Sequence, residues 1–317
     1  MQFMVDGWAP DYGSSLQEFE ELEDSKAETQ TGIELPPEQW RPIAPSGAAA
    51  PRSVLFIDGV RRIDARLWIN PESPGEPEPG LCASYAAGVV RSTAGNARVE
   101  IAEVRRAVVT TLDEADDITT RLGTWDAVHT KPDPSRQVFD VLSAALQQKL
   151  AELEVLCAAN ARAAAPDDDD DLLVIDGPLL GREKVPRAIG MIKTHQSAYL
   201  SADLNRVVGT LAAGERTPVF HLGTTWERYT WYLRLPGAAV SPWAGIVRVE
   251  CTPDLSPADA VALANLSQSV LPKYASEPFK DPRAPQNLYP IGGLEKTLRH
   301  RLGDPNLLRR ALLSVRG

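Results

Sequence analysis

No stretch of the 317 residues approaches the roughly 20 consecutive apolar residues of a membrane span. The first residues also lack a basic-then-apolar secretory pattern, so the chain is read as soluble and cytoplasmic, with no membrane partner. Cysteine is scarce. Cys82, Cys157 and Cys251 are far apart and odd in number, which argues against a disulfide framework or a zinc knuckle and for buried free thiols. There is no internal repeat and no Walker-type glycine loop. Positive charge is in deficit, 33 Lys and Arg against 43 Asp and Glu, for a net charge of −10. Tight unaided DNA binding needs Lys and Arg to neutralise phosphates, and the overall acidity argues against it.

That deficit is local. Residues 1–50 hold ten acids against Lys26 and Arg41, whereas the remainder is only −2. Five of the acids in the remainder are the run Asp167–Asp171, and without it the body is slightly basic. Five consecutive carboxylates cannot all face one ion, so the run reads as a solvated loop. Low hydrophobicity with high charge predicts an extended acidic N-terminal arm over residues 1–50. Within it Trp8 and Tyr12 are anomalous, because exposed aromatics usually anchor to something, either their own domain or a partner protein. Residues 293–317 are net +4 and read as one or two basic helices.

Two runs organise the body: Val54-Leu55-Phe56-Ile57-Asp58-Gly59 and Leu172-Leu173-Val174-Ile175-Asp176-Gly177. Four consecutive apolar residues read as a strand buried on both faces. The aspartate then sits at the strand's end, and the glycine permits a sharp turn and clears space around the carboxylate. Between the runs, Ile63–Asn70 alternates as a strand paired with the first, and Ala83–Arg91 and Arg98–Thr110 read as two more. A helix follows over roughly Ser135–Ala164, with Leu142, Leu146, Leu150, Leu153 and Leu156 forming its apolar stripe. Beyond the second Asp-Gly run come a basic loop (Arg182, Lys184, Arg187) and the stretch Gly190–His195, then a helix through Leu211. Strands at Val219–Gly223, Arg228–Leu235 and Gly245–Cys251 and a helix capped at Ser256 complete the order.

Three strands, a helix and a further strand is the order of an α/β, ribonuclease H-like (PIWI-like) core, a mixed central sheet flanked by helices. Such an order brings Asp58 and Asp176 to one sheet edge. A third carboxylate comes from the crossover helix, and Glu154, four residues after Leu150, borders the buried stripe. Glu152 points about 200° from Leu150, towards solvent, so Glu154 is preferred. Three carboxylates can hold one or two Mg2+ or Mn2+ ions, hard cations that take oxygen ligands, and so build a site for phosphodiester hydrolysis. Lys193 is placed to steady a scissile phosphate.

The chain resembles the NurA family of DNA-end-processing nucleases from about residue 50 to 305. The resemblance rests on Phe56–Gly59, Val174–Leu179, Gly190–His195, Tyr232–Leu235, Arg248–Glu250 and Asn287–Ile291. It implies a ribonuclease H-like domain over residues 51–317 and Mn2+- or Mg2+-dependent exo- and endonuclease activity on DNA. It also implies a ring-forming homodimer and a complex with the hexameric translocase HerA, in DNA end repair or in anti-phage defence. The family's acidic ligands map onto Asp58, Glu154 (or Glu152) and Asp176, and its aromatic onto Tyr232. Its late histidine falls where this chain has Leu298, with His300 two residues away. Arg182, Lys184, Arg187, Arg299 and Arg301 would line a DNA passage, and Trp8 and Tyr12 would dock the motor or the second subunit. The rival readings are a catalytically idle adaptor of the same fold and a phosphohydrolase of small nucleotides.

Overall fold

Val54–Ile57 and Leu172–Ile175 are buried throughout and form strands, as continuous apolar runs should. The structure is a computed structural model and describes residues 23–24, 27–71, 75–166, 170–195, 197–237 and 241–315. In chain order it forms β1 (Glu23–Asp24), β2 (Glu28–Gln30), β3 (Ser53–Ile69), β4 (Glu78–Thr93), β5 (Asn96–Thr110), β6 (Ile118–Thr120), β7 (Gly123–His129) and α1 (Val138–Ala163). There follow β8 (Asp171–Asp176), β9 (Ala188–Ile192), β10 (Ser197–Ala198), α2 (Ala202–Thr210), β11 (Phe220–Gly223), β12 (Glu227–Arg234) and β13 (Ile246–Cys251). Helices α3 (Pro257–Val270), α4 (Tyr289–Arg301) and α5 (Pro305–Ser314) end the chain. The fold is mixed α/β, with parallel and antiparallel strand pairs and flanking helices. Cys82, Cys157 and Cys251 are free and buried. Among the described residues no helix is long and apolar enough to cross a membrane.

Two expectations need correction. The segments Val54–Asp58 and Ile63–Ile69 are one 17-residue strand, β3, not two paired ones, so Asp58 lies within a strand rather than at its end. Alternation after an apolar run marks the point where a single strand passes from two-sided to one-sided burial. The early strands also do not lead straight into α1. Strands β6 and β7 intervene, and β7 pairs parallel with β5.

The described residues form two compact units: one of residues up to 56, 91–97 and 170–292, the other of 57–90, 98–166 and 293–315. In the first, the strand order is β2-β11-β12-β13-β9-β8. β8 and β9 pair in parallel, placing Asp176 opposite Met191, and the other pairs are antiparallel. Helix α3 begins at the Ser256 cap, whose Oγ accepts the Asp259 N–H. It is tied to β12 where the Trp231 indole N–H donates to Ser267 Oγ at 3.0 Å. The chain ahead of β3 is bound into this unit from β2 onward. Glu34 accepts both arms of the fully buried Arg216 guanidinium at 2.7 and 2.8 Å, and Trp40 packs against Phe220.

In the second unit the order is β3-β4-β5-β7-β6. Leu308 and Leu312 of α5 pack on Cys82, Val108 and Trp125. Helix α4 approaches β4 at Gly88, where a Cβ would stand 3.0 Å from Leu294 and 3.2 Å from Leu298. Asp64, buried between strands, accepts from Arg62, Ser84 and Trp125, so the charge is met by three donors.

Candidate active site

On β3, Asp58 is 9% exposed and its Oδ1 accepts the Gly59 N–H at 2.7 Å. Gly59 keeps an ordinary extended backbone, and its use is space. A Cβ there would lie 2.5 Å from Glu154 Oε1 and 2.7 Å from Leu150 Cδ1. Glu154 is therefore laid against the backbone of the residue following Asp58. The phase of α1 puts it there: Leu142, Leu146, Leu150 and Leu153 are buried, and Glu154 with them at 4% exposure, whereas Leu156, expected in the same stripe, is 45% exposed. Glu152 faces solvent and pairs with Lys149 at 2.8 Å. Asp58 and Glu154 thus supply two buried carboxylates, hard oxygen donors of the kind Mg2+ and Mn2+ take.

In the other unit, Asp176 is the last residue of β8 and its Oδ2 accepts from Lys193 Nζ at 2.7 Å. The same ammonium donates to Asn287 Oδ1 at 2.7 Å, and Asn287 Nδ2 donates to Asp281 Oδ2 at 2.8 Å. Asn287 and Asp281 are buried. With its NH2 committed to Asp281, the Asn287 amide presents its oxygen, not its nitrogen, to Lys193. Gly292 leaves room for this arrangement, since a Cβ would be 2.9 Å from Asp281 Oδ2 and 3.1 Å from Asn287 Nδ2.

The turn after Asp176 is equally determined. Gly177 takes φ +108°, a conformation reserved for glycine, and its N–H donates to the Met191 carbonyl at 2.9 Å. Two residues on, the Leu179 N–H donates to Glu250 Oε1 at 2.8 Å. Glu250 is wholly buried, and its Oε2 lies 2.8 Å from Arg248 NH1 and 3.2 Å from Arg228 Nε. Gly190 makes the approach possible: a Cβ there would meet the Gly177 carbonyl oxygen at 2.7 Å and Glu250 Cγ at 3.2 Å. The two Asp-Gly pairs therefore use their glycines differently, one for space beside a strand and one for a left-handed turn.

Tyr232 sits in an aromatic core with His195, Phe220 and Trp243, and burial pushes its phenol up to about 12. Leu298 is fully buried in the α4 interface, and His300 is exposed in the last turn of that helix. Arg182 turns inward: its guanidinium donates to the Pro178 carbonyl at 3.0 Å and braces the turn rather than facing solvent. Arg187 is exposed but pairs with Asp171 at 2.7 Å, and Lys184 is exposed. Arg299 pairs with Glu295, and Arg301 donates to the Ala102 carbonyl, both on the exposed side of α4. Trp8, Tyr12 and Asp167–Asp169 lie outside the described residues. Among the described residues no three or more His, Cys, Asp or Glu side chains are gathered as a metal-holding group. Reading from sequence missed Asp281 and the role of Asn287, although the Asn287–Ile291 motif was its visible signal. The burial of Glu250 between two arginines was likewise signalled only by the Arg248–Glu250 motif.

A family model described as the NurA domain matches residues 52–291. Among solved structures, the NurA nuclease from Sulfolobus solfataricus aligns at TM-score 0.44 and 10% identity, covering 84% of this chain and 85% of that one. Human endonuclease V aligns at TM-score 0.36 and 14% identity, over 80% of this chain and 84% of that one. The endonuclease V from Bacillus subtilis aligns at TM-score 0.35 and 12% identity, over 82% and 85%. No curated protein matches the chain.

Proposed function

The chain belongs to the NurA domain family, and from that premise we propose that it is a metal-dependent deoxyribonuclease hydrolysing phosphodiester bonds at DNA ends. What supports this most is that four sequence-remote motifs interlock around Asp176: Val174–Leu179, Gly190–Lys193, Arg248–Glu250 and Asn287. Asp58, Glu154 and Asp176 would hold Mg2+ or Mn2+. The ion would supply a more acidic water and charge stabilisation at the leaving oxygen. Lys193 has three N–H donors, two of them directed at Asp176 and Asn287, and the third would donate to a phosphate oxygen. Asn287 and Asp281 hold that ammonium in place, and Glu250 holds the turn that carries Asp176.

The body beyond residue 50 is nearly neutral, so DNA would be delivered to it rather than captured by it. A HerA-type hexameric ATPase would do so, with the nuclease acting as a homodimer in end resection and repair or in defence against invading DNA. The decisive assay compares wild type with Asp58→Ala and Asp176→Ala on linear duplex DNA with Mn2+, with and without the translocase. Each change should lower cleavage by about a thousandfold or more, the several kcal/mol a metal contributes to such a step, with the circular dichroism spectrum unchanged. Full activity in both variants would remove the site. An inactive wild type would favour the adaptor reading.

A further inference from the structure

The loop before α4 has two sides. Inward, Asp281 holds Asn287 and through it Lys193 and Asp176. Outward, two residues earlier, Phe279 is 79% exposed, the most exposed large apolar side chain among the described residues. A ring left in water on a surface loop is ordinarily free to swing, but this one is braced. Lys280 Nζ lies 5.1 Å from the Phe279 ring centroid and 5.2 Å from that of Tyr289. The same ammonium is 3.0 Å from Glu277 Oε2, which also accepts the Tyr289 hydroxyl at 3.1 Å. The loop backbone is closed by the Lys280 and Asp281 N–H groups, which both donate to the Glu277 carbonyl. Hydrogen bonds from Lys280 and Tyr289 hold the Glu277 carboxyl below its ordinary value, and Lys280 is raised in turn, so the pair stays charged across neutral pH.

We infer that Phe279 is a base-stacking residue for single-stranded DNA, held by Lys280, Glu277 and Tyr289 on the loop that positions Lys193. This deepens the nuclease reading and rests on it for the nature of the substrate. The chemistry selects stacking over phosphate binding. Glu277 and Lys280 cancel in charge, so the loop offers a phosphate backbone little attraction, whereas an open aromatic face accepts any base. Bracing a ring before the ligand arrives reduces the ordering cost of binding. Because the same loop carries Asp281, a base seated on Phe279 would be held in fixed relation to Asp176 and Lys193.

The test is equilibrium binding of a fluorescein-labelled oligothymidylate to the full chain without divalent metal, over a range of salt concentrations. Phe279→Ala should weaken binding by about 5- to 150-fold and leave the slope of log affinity against log salt unchanged. Phe279→Trp should retain wild-type affinity. Binding of Phe279→Ala within twofold of wild type would overturn the proposal, as would a shallower salt slope, which would mark a phosphate contact. So would a changed mass of Phe279→Ala in light scattering, which would assign the ring to a contact between copies. Hydrolysis of bis(p-nitrophenyl) phosphate by the wild type, a substrate with no base to stack, reports separately on the metal-centre reading.

Discussion

A single ammonium shows how much a residue's meaning depends on its neighbours. Lys193 lies between a carboxylate and an amide whose orientation is set by Asp281. Asn287→Ala should lower nuclease turnover by about 10- to 100-fold, the usual effect of removing a partner that orients a catalytic group. Unchanged turnover in Asn287→Ala would show that the ammonium needs no such partner. His195 supplies a second test. Its Nε2 lies 3.1 Å from the Ile246 carbonyl, and burial pushes its pKa from 6.5 to about 4, helped by Arg248 and opposed by that carbonyl. The unfolded chain therefore takes up a proton below about pH 6.5, and the folded chain only below about 4. Between those values the unfolded state binds more protons, so stability falls as pH falls, by up to about 3 kcal/mol. Urea unfolding at about pH 7 and about pH 4.5 should show this loss reduced in His195→Gln relative to wild type. An equal loss in both proteins would refute the assignment.

Elements place these residues through close approach. The parallel pair β8–β9 sets Asp176 opposite Met191, and the Gly177 turn folds back over Gly190 onto Glu250. Gly190→Ala would put a methyl 2.7 Å from the Gly177 carbonyl oxygen, a backbone atom that can yield only by moving the turn. A cost of about 1–3 kcal/mol is expected from such overpacking, with a lower melting temperature and weaker Mn2+-dependent cleavage. An unchanged melting temperature would show that the turn has slack. The helical phase that buries Glu154 and exposes Glu152 was legible from the leucine spacing of α1. The continuity of β3 was not, because alternating and continuous apolar patterns each describe a strand and their junction carries no turn signal other than Gly59.

For the whole molecule, charge distribution is the guide. The acids are concentrated ahead of residue 50, and from β2 onward that segment is locked into the first unit by the Glu34–Arg216 pair and Trp40. If Trp8 and Tyr12 dock the motor, deleting residues 1–15 should abolish the nuclease–translocase complex in size-exclusion chromatography while leaving the nuclease folded. An intact complex would defeat the docking assignment. The expected DNA-lining cations fare unevenly. Arg182 and Arg187 are engaged by the Pro178 carbonyl and Asp171.

By itself the sequence determined the mixed α/β class, the buried Asp-Gly strands, most of the buried face of the long helix, the capped α3 and the free thiols. Each of these follows from local periodicity or from the chemistry of a few adjacent residues. Only the tertiary structure decided that Lys193 meets Asn287 across 94 residues, that Leu179 is held by Glu250 across 71, and that Tyr232 belongs to a core. Hydrophobic spacing says which face turns inward. It does not say which partner waits there, because that is set by packing between segments that no local pattern relates.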